Sequence, residues 1–539
     1  MLDEVVCSRM TQCAREIEFF EQISRTLSLS LLRRNQLTRD IRRRKMNSEQ
    51  RRKERQAAGA LGQPPEIKLN DTFNPFHNDS RFEGGYEILK TVLLLPVMVV
   101  RVVVFVTSLL LGYLFTKLAL LRAKNVLTSP FPQWRRSLML PVRLCARVNL
   151  FACGFHWIHL KGSPAPRHEA PILVSNHVTF VDPLFLFFKH LPVIVTAYEN
   201  LNLPVAGAII KAMQAIAVDR ISRESRQSAS DAIKRKAMCN DWSHVMIFPE
   251  ATTTNGKLLI SFKAGAFTPG FPVQPILIRY PHVHMDPCWV AEGPVIYWLL
   301  FRLMTQFHNF MSVEYLPVIH PTLEETKNPN LFAERVRLTM ARAMNTSVTQ
   351  HTYEDAYMAM EAVRLKIDSA SALLEFGEFK KISPFTVKEA KRCLSKFLAL
   401  DCSNRGAVTY KDYIKAVDLP DCFLLQQVFR YFDRTNSGHI NFRQYATGIA
   451  FISGHSRFKE VVESAYNFCG GVENLLDETA LHRSLRVLMP SVSKQQVHLL
   501  FNRIDVNKGG LLRQTDFSSY CDDNPDFLLL FLIGKSSLL

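Results

Sequence analysis

The sequence predicts an α/β domain built on a parallel-rich mixed sheet, membrane-anchored from its N-terminal side and followed by an all-α domain. Three observations predict that arrangement. Between residues 161 and 345, short apolar runs of strand length alternate with stretches of helical periodicity. Ahead of them, Thr91 to Thr116 is an almost unbroken apolar run. Behind them, three twelve-residue windows share a leading aspartate and a sixth-position glycine. A chain of 539 residues has room for two or three domains, and 47% hydrophobic with 21% charged residues suits a folded protein with some membrane character.

The N-terminal arm, residues 1–85, is basic and reads as largely disordered. Its segment 33–56, "RRNQLTRDIRRRKMNSEQRRKERQ", holds eleven Lys and Arg against three Asp and Glu, a large share of the formal net charge of +17. No aromatics interleave these cations, which argues against a base-stacking platform and against nucleic acid as the partner. Beside a hydrophobic segment the run fits an anionic membrane surface, with a solvated arm as the equal alternative. The opening "MLDEVVCSRMTQCAREIEFF" lacks the basic start and apolar core of a secretory signal. Eleven scattered cysteines without a CxxC pair read as reduced thiols of a cytosolic setting, not as a zinc or redox motif.

Residues 86–160 form the expected anchor. The run from Thr91 to Thr116 is long enough, at about 1.5 Å per residue, to cross a core of roughly 30 Å. Pro96 and Arg101 interrupt it, and an arginine near the bilayer centre costs about 3 kcal/mol or more. From Arg136, "RSLMLPVRLCARVNLFACGFHWI" sets Arg143 and Arg147 one helical turn apart, the pattern of an interfacial amphipathic helix. Basic residues flank both sides, so two topologies stay open: a single span, or a kinked hairpin that leaves every soluble part on the cytosolic face. Reduced cysteines on both sides favour the hairpin.

In residues 161–345 the strand candidates are "PILVS", "PVIVTA", "AIAV", "HVMIF" and "VQPILI", and "SRQSASDAIKRKAM" and "FAERVRLTMARAM" carry helical periodicity. Residues 346–385 are polar and unpatterned and read as a linker. Residues 386–530 are helical. There the windows "DCSNRGAVTYKD", "DRTNSGHINFRQ" and "DVNKGGLLRQTD" place Gly406, Gly438 and Gly510 sixth and the apolar Val408, Ile440 and Leu512 eighth. These are the marks of EF-hand loops. Calcium needs oxygen ligands and a bidentate Glu at position twelve, which here is Asp412, Gln444 or Asp516. Arg405 puts a cation into the first loop, and the third has Gly509 fifth and Arg513 ninth. The second is the best candidate metal loop, with Asp433, Thr435, Ser437, His439, Asn441 and Gln444, yet it carries one negative charge. The expectation is an EF-hand scaffold with weak or vestigial calcium binding.

The stretch "VSNHVTFVDPLF", residues 174–185, bears on chemistry. A strand precedes it, and Asp182-Pro183 has the form of a helix start, with Asp as cap. His177 then lies in a strand-to-helix turn. Inside one helix a five-residue spacing would turn the side chains about 140° apart; with His177 in the turn, the two can face one another. A carboxylate beside an imidazole fixes its tautomer and strengthens it as a base. Cap and catalyst both remain open on this pair alone. Arg220 follows "AIAVD", Glu250 follows "HVMIFP", and Lys263 lies in "ISFKAGAF". If the strands are parallel neighbours, these residues lie beyond carboxyl ends, where open sheets bind ligands. One at a time, each has a duller account as a surface cation, a helix-start acid or a solvated lysine.

Together and in this order they resemble the glycerolipid (1-acylglycerol-3-phosphate) acyltransferase family. Its NHxxxxD motif is similar to Asn176-His177 through Asp182, its strand-terminal arginine to Arg220, its FPEGT to Phe248-Pro249-Glu250-Ala251-Thr252, and its fourth motif to Val273–Pro275. The resemblance covers roughly residues 90 to 345. With "EATTTN", "FKAGAF", "PVQPILIRYP" and the EF-hand windows, it narrows to the lysophosphatidylcholine acyltransferase branch, where Thr252, Thr254 and Asn255 stand in place of an arginine. The resemblance implies acyl-CoA as co-substrate, a lysophospholipid as acceptor (lysophosphatidylcholine first), and no cofactor for the chemistry. It implies His177 as general base oriented by Asp182, with no covalent intermediate; no GxSxG elbow is present. Asn176, Arg220, Glu250, Thr252 and Lys263 would bind substrate, and backbone amides near the helix start would serve the oxyanion.

It further implies residence in the endoplasmic reticulum membrane, with Golgi and lipid droplet as alternatives, and a cytosol-facing catalytic domain. Alternative acceptors are lysophosphatidate, lysophosphatidylethanolamine and ether lysolipids. A rival of another class is a catalytically weak, membrane-anchored EF-hand adaptor. Ala251 departs from the family's glycine. A Cβ at positive φ costs on the order of 1–3 kcal/mol, so the turn is expected to have shifted to a conformation that suits alanine.

Overall fold

The computed structural model describes residues 74–533 apart from 221, 368, 383, 384, 404, 455–457, 471–474 and 532. The basic segment 33–56 and the closing "GKSSLL" lie outside the described residues. The chain divides between Ala356 and Tyr357 into two compact units.

The first unit opens with two long helices, α1 (Gly85–Leu120) and α2 (Gln133–Ala152), which pack against one another. By length and composition α1 could cross a membrane; little of its apolar surface is buried. Pro96 sits inside it without breaking it. Arg101 turns to the protein, donating to the carbonyls of Met304 and Gln306 at 2.8 and 2.6 Å. On α2 the polar face also turns inward: Arg143 donates to the carbonyls of Phe188 and Lys189, and Arg147 to those of Phe155 and His156. Trp134, Leu140, Leu144 and Phe151 of the same helix are exposed. The expected amphipathic helix therefore has its charged side on the domain and its apolar side outward.

The sheet that follows has seven strands. They are β1 (Ile158–Lys161), β2 (Ile172–Ser175), β3 (Val193–Ala197), β4 (Ile216–Val218), β5 (Val245–Ile247), β6 (Val273–Arg279) and β7 (Met311–Tyr315). Their order is β1-β7-β6-β2-β5-β3-β4. β6, β2, β5, β3 and β4 are mutually parallel, and β7 pairs antiparallel with β6 and parallel with β1. The five parallel strands are the five read from the sequence. They are legible because both faces are covered, so almost every position is apolar. On β2, Leu173 joins the core beneath α3 (Val181–His190), while Ile172 and Val174 join the core beneath the helices Arg223–Met238 and Pro329–Met344. The sequence reading missed β1 and β7. β7 alternates buried and half-buried positions, and its Glu314 pairs with Lys161 at 2.6 Å and Arg279 at 2.9 Å, which masks the apolar signal.

The second unit is helical. The expected linker 346–385 is corrected: it holds the helices Tyr353–Arg364 and Phe376–Ile382, and Met358, Ala362, Phe376 and Phe379 are buried in this unit's core. Their apolar residues are too widely spaced to announce a helix. Among the described residues four helix–loop–helix units follow, where the windows had indicated three. The loops at Asp401 and Asp433 pair through Val408 opposite Ile440, and the loop at Asp505 pairs through Leu512 with Leu476 of a further loop. That further loop starts at Cys469, so no leading aspartate marks it. Gly406, Gly438 and Gly510 all adopt positive φ, which explains glycine at the sixth position of each window.

Candidate active site

The carboxyl ends of β2, β5 and β6 lie side by side, and the loops leaving them bring together residues 176–182, 248–255 and 280. Asn176, the first residue beyond β2, is buried. Its side-chain amide donates to the Ile278 carbonyl and accepts from the Ile278 amide, both at 2.8 Å. It thus extends the β2–β6 pairing.

His177 follows in the turn. Its Nδ1 lies 2.8 Å from Asp182 Oδ2. Its ring stacks on Phe248 at 4.0 Å between centroids and 17° between planes. The side chain is 20% exposed, and Nε2 makes no hydrogen bond within the described residues. Asp182 is fully buried. It is not the cap of α3, because its carboxylate reaches backward along the chain. Oδ2 accepts from the amides of Val178 and Thr179 at 2.6 and 2.9 Å as well as facing His177. Oδ1 accepts from the Tyr280 hydroxyl at 2.5 Å. The spacing of five therefore does bring imidazole and carboxylate together. The amides of Val178 and Thr179 are thereby committed to Asp182.

Glu250 lies in the tight turn after β5, where the Ala251 amide donates to the Phe248 carbonyl. It is fully buried. Oε1 accepts from the His177 amide at 2.9 Å, and Oε2 faces the Thr254 hydroxyl at 3.4 Å. Burial pushes its carboxyl up to about 8, against the pull of the His177 and Ile260 amides and the Thr254 hydroxyl. A carboxyl so enclosed holds the His177 turn. Ala251 is at φ 59, in the left-handed region. The expectation that its turn had shifted to suit alanine is overturned: the glycine-like turn is kept, and the Cβ is borne as strain.

Beyond Ala251, Thr252 is half-buried. The Thr254 amide donates to the His177 carbonyl at 2.9 Å, locking the two loops together. Asn255 holds the incoming chain through the carbonyls of Asn74 and His77. Arg220, beyond β4, lies 4.9 Å over the Tyr353 ring. Lys263 pairs with Glu354 at 2.5 Å. Both cations thus rest on neighbouring residues of one helix start.

In the second unit the three leading aspartates repeat one arrangement. Asp401 accepts from the amides of Arg405 and Gly406, Asp433 from Ser437 and Gly438, and Asp505 from Gly509 and Gly510. In the middle loop the Thr435 and Ser437 hydroxyls also point at Asp433, while Asn441 and Gln444 cap the next helix reciprocally. His439 is exposed. No group of three or more His, Cys, Asp or Glu among the described residues is placed to hold a metal ion. One carboxylate with hydroxyl and amide oxygens is a thin donor set for calcium.

Residues 158–279, which span β1 to β6 and include His177, Asp182 and Glu250, match the acyltransferase family model. The chain is 37% identical over 470 residues to the lysophospholipid acyltransferase LPEAT2 of Arabidopsis thaliana, with 87% of each chain covered. It is 32% identical over 479 residues to lysophosphatidylcholine acyltransferase 2 of Danio rerio, covering 88% of this chain and 90% of that one. Lysophosphatidylcholine acyltransferase 1 of Rattus norvegicus is 30% identical over 459 residues, 84% and 86% of the two chains. This chain belongs to the lysophospholipid acyltransferase family, and it is an acyltransferase.

Proposed function

We propose that the protein transfers an acyl group from acyl-CoA to the free hydroxyl of a lysophospholipid, with lysophosphatidylcholine as the principal acceptor. The observation that carries this reading is the His177 imidazole, held by Asp182 at Nδ1 and unpartnered at Nε2, at the carboxyl edge of a parallel sheet. Nε2 takes the proton of the acceptor hydroxyl as that oxygen attacks the thioester carbonyl. The C–O ester bond forms, the C–S bond breaks, and the imidazolium returns its proton to the departing thiolate. The buried Asp182 charge favours the imidazolium that forms between the two transfers. Arg220 and Lys263 are the cations for phosphate groups of lipid or coenzyme A, and a phosphate must displace Glu354 from Lys263. Thr252 is the substrate-side residue of its loop. The relative at 37% identity is named for lysophospholipids at large; it supports a second reading in which lysophosphatidylethanolamine is also accepted.

The protein acts on the cytosolic face of an internal membrane, the endoplasmic reticulum first, and α1 with α2 forms a hairpin anchor that does not cross. Buried residues are spread along α1 from Glu87 to Ala119, with Ser108 and Gly112 facing α2. Near one end Glu87 and Lys90 bond Arg302 and Gln306; at the other Ala119 shares a core with Phe187 and Ala212. A helix docked to one domain at both ends is a poor span, whereas its remaining apolar surface suits lipid. The helix–loop–helix units are EF-hands whose middle loop, Asp433 to Gln444, binds calcium weakly.

Purified protein supplied with labelled acyl-CoA and a panel of lysolipids tests the reaction, and product with lysophosphatidylcholine is expected. Absence of product with every lysolipid would leave the adaptor reading. Tags at the N-terminus and beyond residue 530 are both expected to be accessible when only the plasma membrane is permeabilised; one protected tag sinks the hairpin.

A further inference from the structure

We propose that Tyr280 is a positioning residue for the His177–Asp182 pair, setting how much of the Asp182 charge the imidazole receives. This rests on the reading of His177 as the base. Asp182 is fully buried, and its two oxygens are unequally served. Oδ2 meets three donors: the His177 ring and the amides of Val178 and Thr179. Oδ1 meets one, the Tyr280 hydroxyl. Without that hydroxyl, Oδ1 has no other hydrogen-bond donor among the described residues, and a buried carboxylate oxygen left unpaired is costly. The carboxylate would then rotate or draw its charge toward Oδ2 and the imidazole.

Tyr280 is delivered by long-range structure. It is the residue after β6, and the two Asn176–Ile278 bonds fix the end of β6 beside the His177 turn. Its ring is packed edge-on against Phe155, 5.8 Å between centroids, so the hydroxyl has little freedom to leave Asp182. The phenol is pushed well above its ordinary range by burial first and by Asp182 second, so it is a donor at every working pH. Among the described residues the other titratable group that faces the pair is Glu250, which holds the His177 amide and feels the Asp182 charge. The hydroxyl of Tyr280 touches neither substrate nor the reacting atoms; it acts through Asp182.

Tyr280→Phe keeps the ring and its packing and removes only the donor. The expected result is a fall in kcat of about tenfold, with KM for acyl-CoA and lysolipid unchanged. The acid limb of the pH–rate profile is expected to move to higher pH, because a less-engaged Asp182 holds the imidazolium proton more tightly. Incorporating 3-fluorotyrosine at position 280, a stronger donor of nearly the same size, is expected to move that limb the opposite way. A Tyr280→Phe enzyme with wild-type kcat and an unmoved profile overturns the proposal, as does one with lower thermal stability and an unmoved profile. Should Tyr280→Phe fail to fold, the fluorotyrosine enzyme decides alone, and an unmoved limb there overturns it. A wild type inactive on every lysolipid is a different outcome, which removes the parent reading and this one with it.

Discussion

Asp182 and Asp433 are both aspartates beside a turn, both with carboxylates that accept from backbone amides, and they differ in where their remaining donors come from. Asp433 is satisfied within its own loop, by Thr435, Ser437 and Gly438. Asp182 takes two amides from its own turn, and then an imidazole and a phenol, the last from 98 positions away. Local donors tie Asp433 into one loop, whereas Tyr280 ties Asp182 to the end of β6.

The largest effect separates the two directly. Asp182→Asn and His177→Ala should each cut acyl transfer by about 10²–10⁴-fold, the range for loss of a positioned base, whereas Asp433→Asn should leave it near wild type. The asparagine at 182 can turn its carbonyl to the amides and its NH2 to Tyr280, so the fold survives while the charge is gone. Full activity in Asp182→Asn, set beside an impaired Asp182→Ala, would make Asp182 a structural acceptor like Asp433. Acyl transfer and thermal unfolding on the same preparations decide between them.

Next, Gln444→Glu should convert the middle loop from a turn into a better metal site by supplying the missing bidentate carboxylate. Calcium titration of the full chain is expected to show weak binding in the wild type and affinity at least about tenfold higher in Gln444→Glu. Sub-micromolar binding by the wild type would show that one carboxylate suffices.

A third experiment concerns pH. The Glu250 carboxyl is raised from 4.5 to about 8 in the folded protein, chiefly by burial. Folded protein then keeps a proton that the unfolded chain loses above about 4.5. The stability this confers is complete below that value and is lost as pH rises toward 8, by about 1.4 kcal/mol per pH unit. Glu250→Gln, neutral throughout and still able to accept from the His177 amide, should lose that slope between pH 5 and 8. Unfolding curves of the two proteins that run parallel over this range would place Glu250 among the ionised carboxylates, beside Asp433.

The smallest effect is at Ala251. Left-handed backbone costs an alanine about 1–2 kcal/mol, and glycine returns about 0.4–1 kcal/mol of that as unfolded-state entropy. Ala251→Gly should therefore raise the thermal midpoint slightly and leave acyl transfer level or higher. A lower midpoint would show that the strain is relieved by the neighbouring residues.

The five parallel strands were legible because burial on both faces writes a continuous apolar run into the sequence. β1 and β7 were not, since Lys161 and Glu314 neutralise one another only once the strands are paired. The His177–Asp182 contact was legible because a turn of five residues leaves few geometries. Asn176 and Glu250 were placed in the right neighbourhood, but what holds them there was not legible. Their partners, the Ile278 backbone and the His177 amide, come from other strands.

By itself the sequence determined what depends on neighbours along the chain: strand and helix period, the glycine turns of the second unit, and the meeting of His177 with Asp182. These follow from backbone geometry over a few residues. Tertiary structure decided which acceptors were used up and by whom. Sheet register sets Ile278 against Asn176 and brings Tyr280 to Asp182. Spacing along a chain cannot reveal those outcomes, because a buried hydrogen bond depends on donor and acceptor meeting in space, however many residues lie between them.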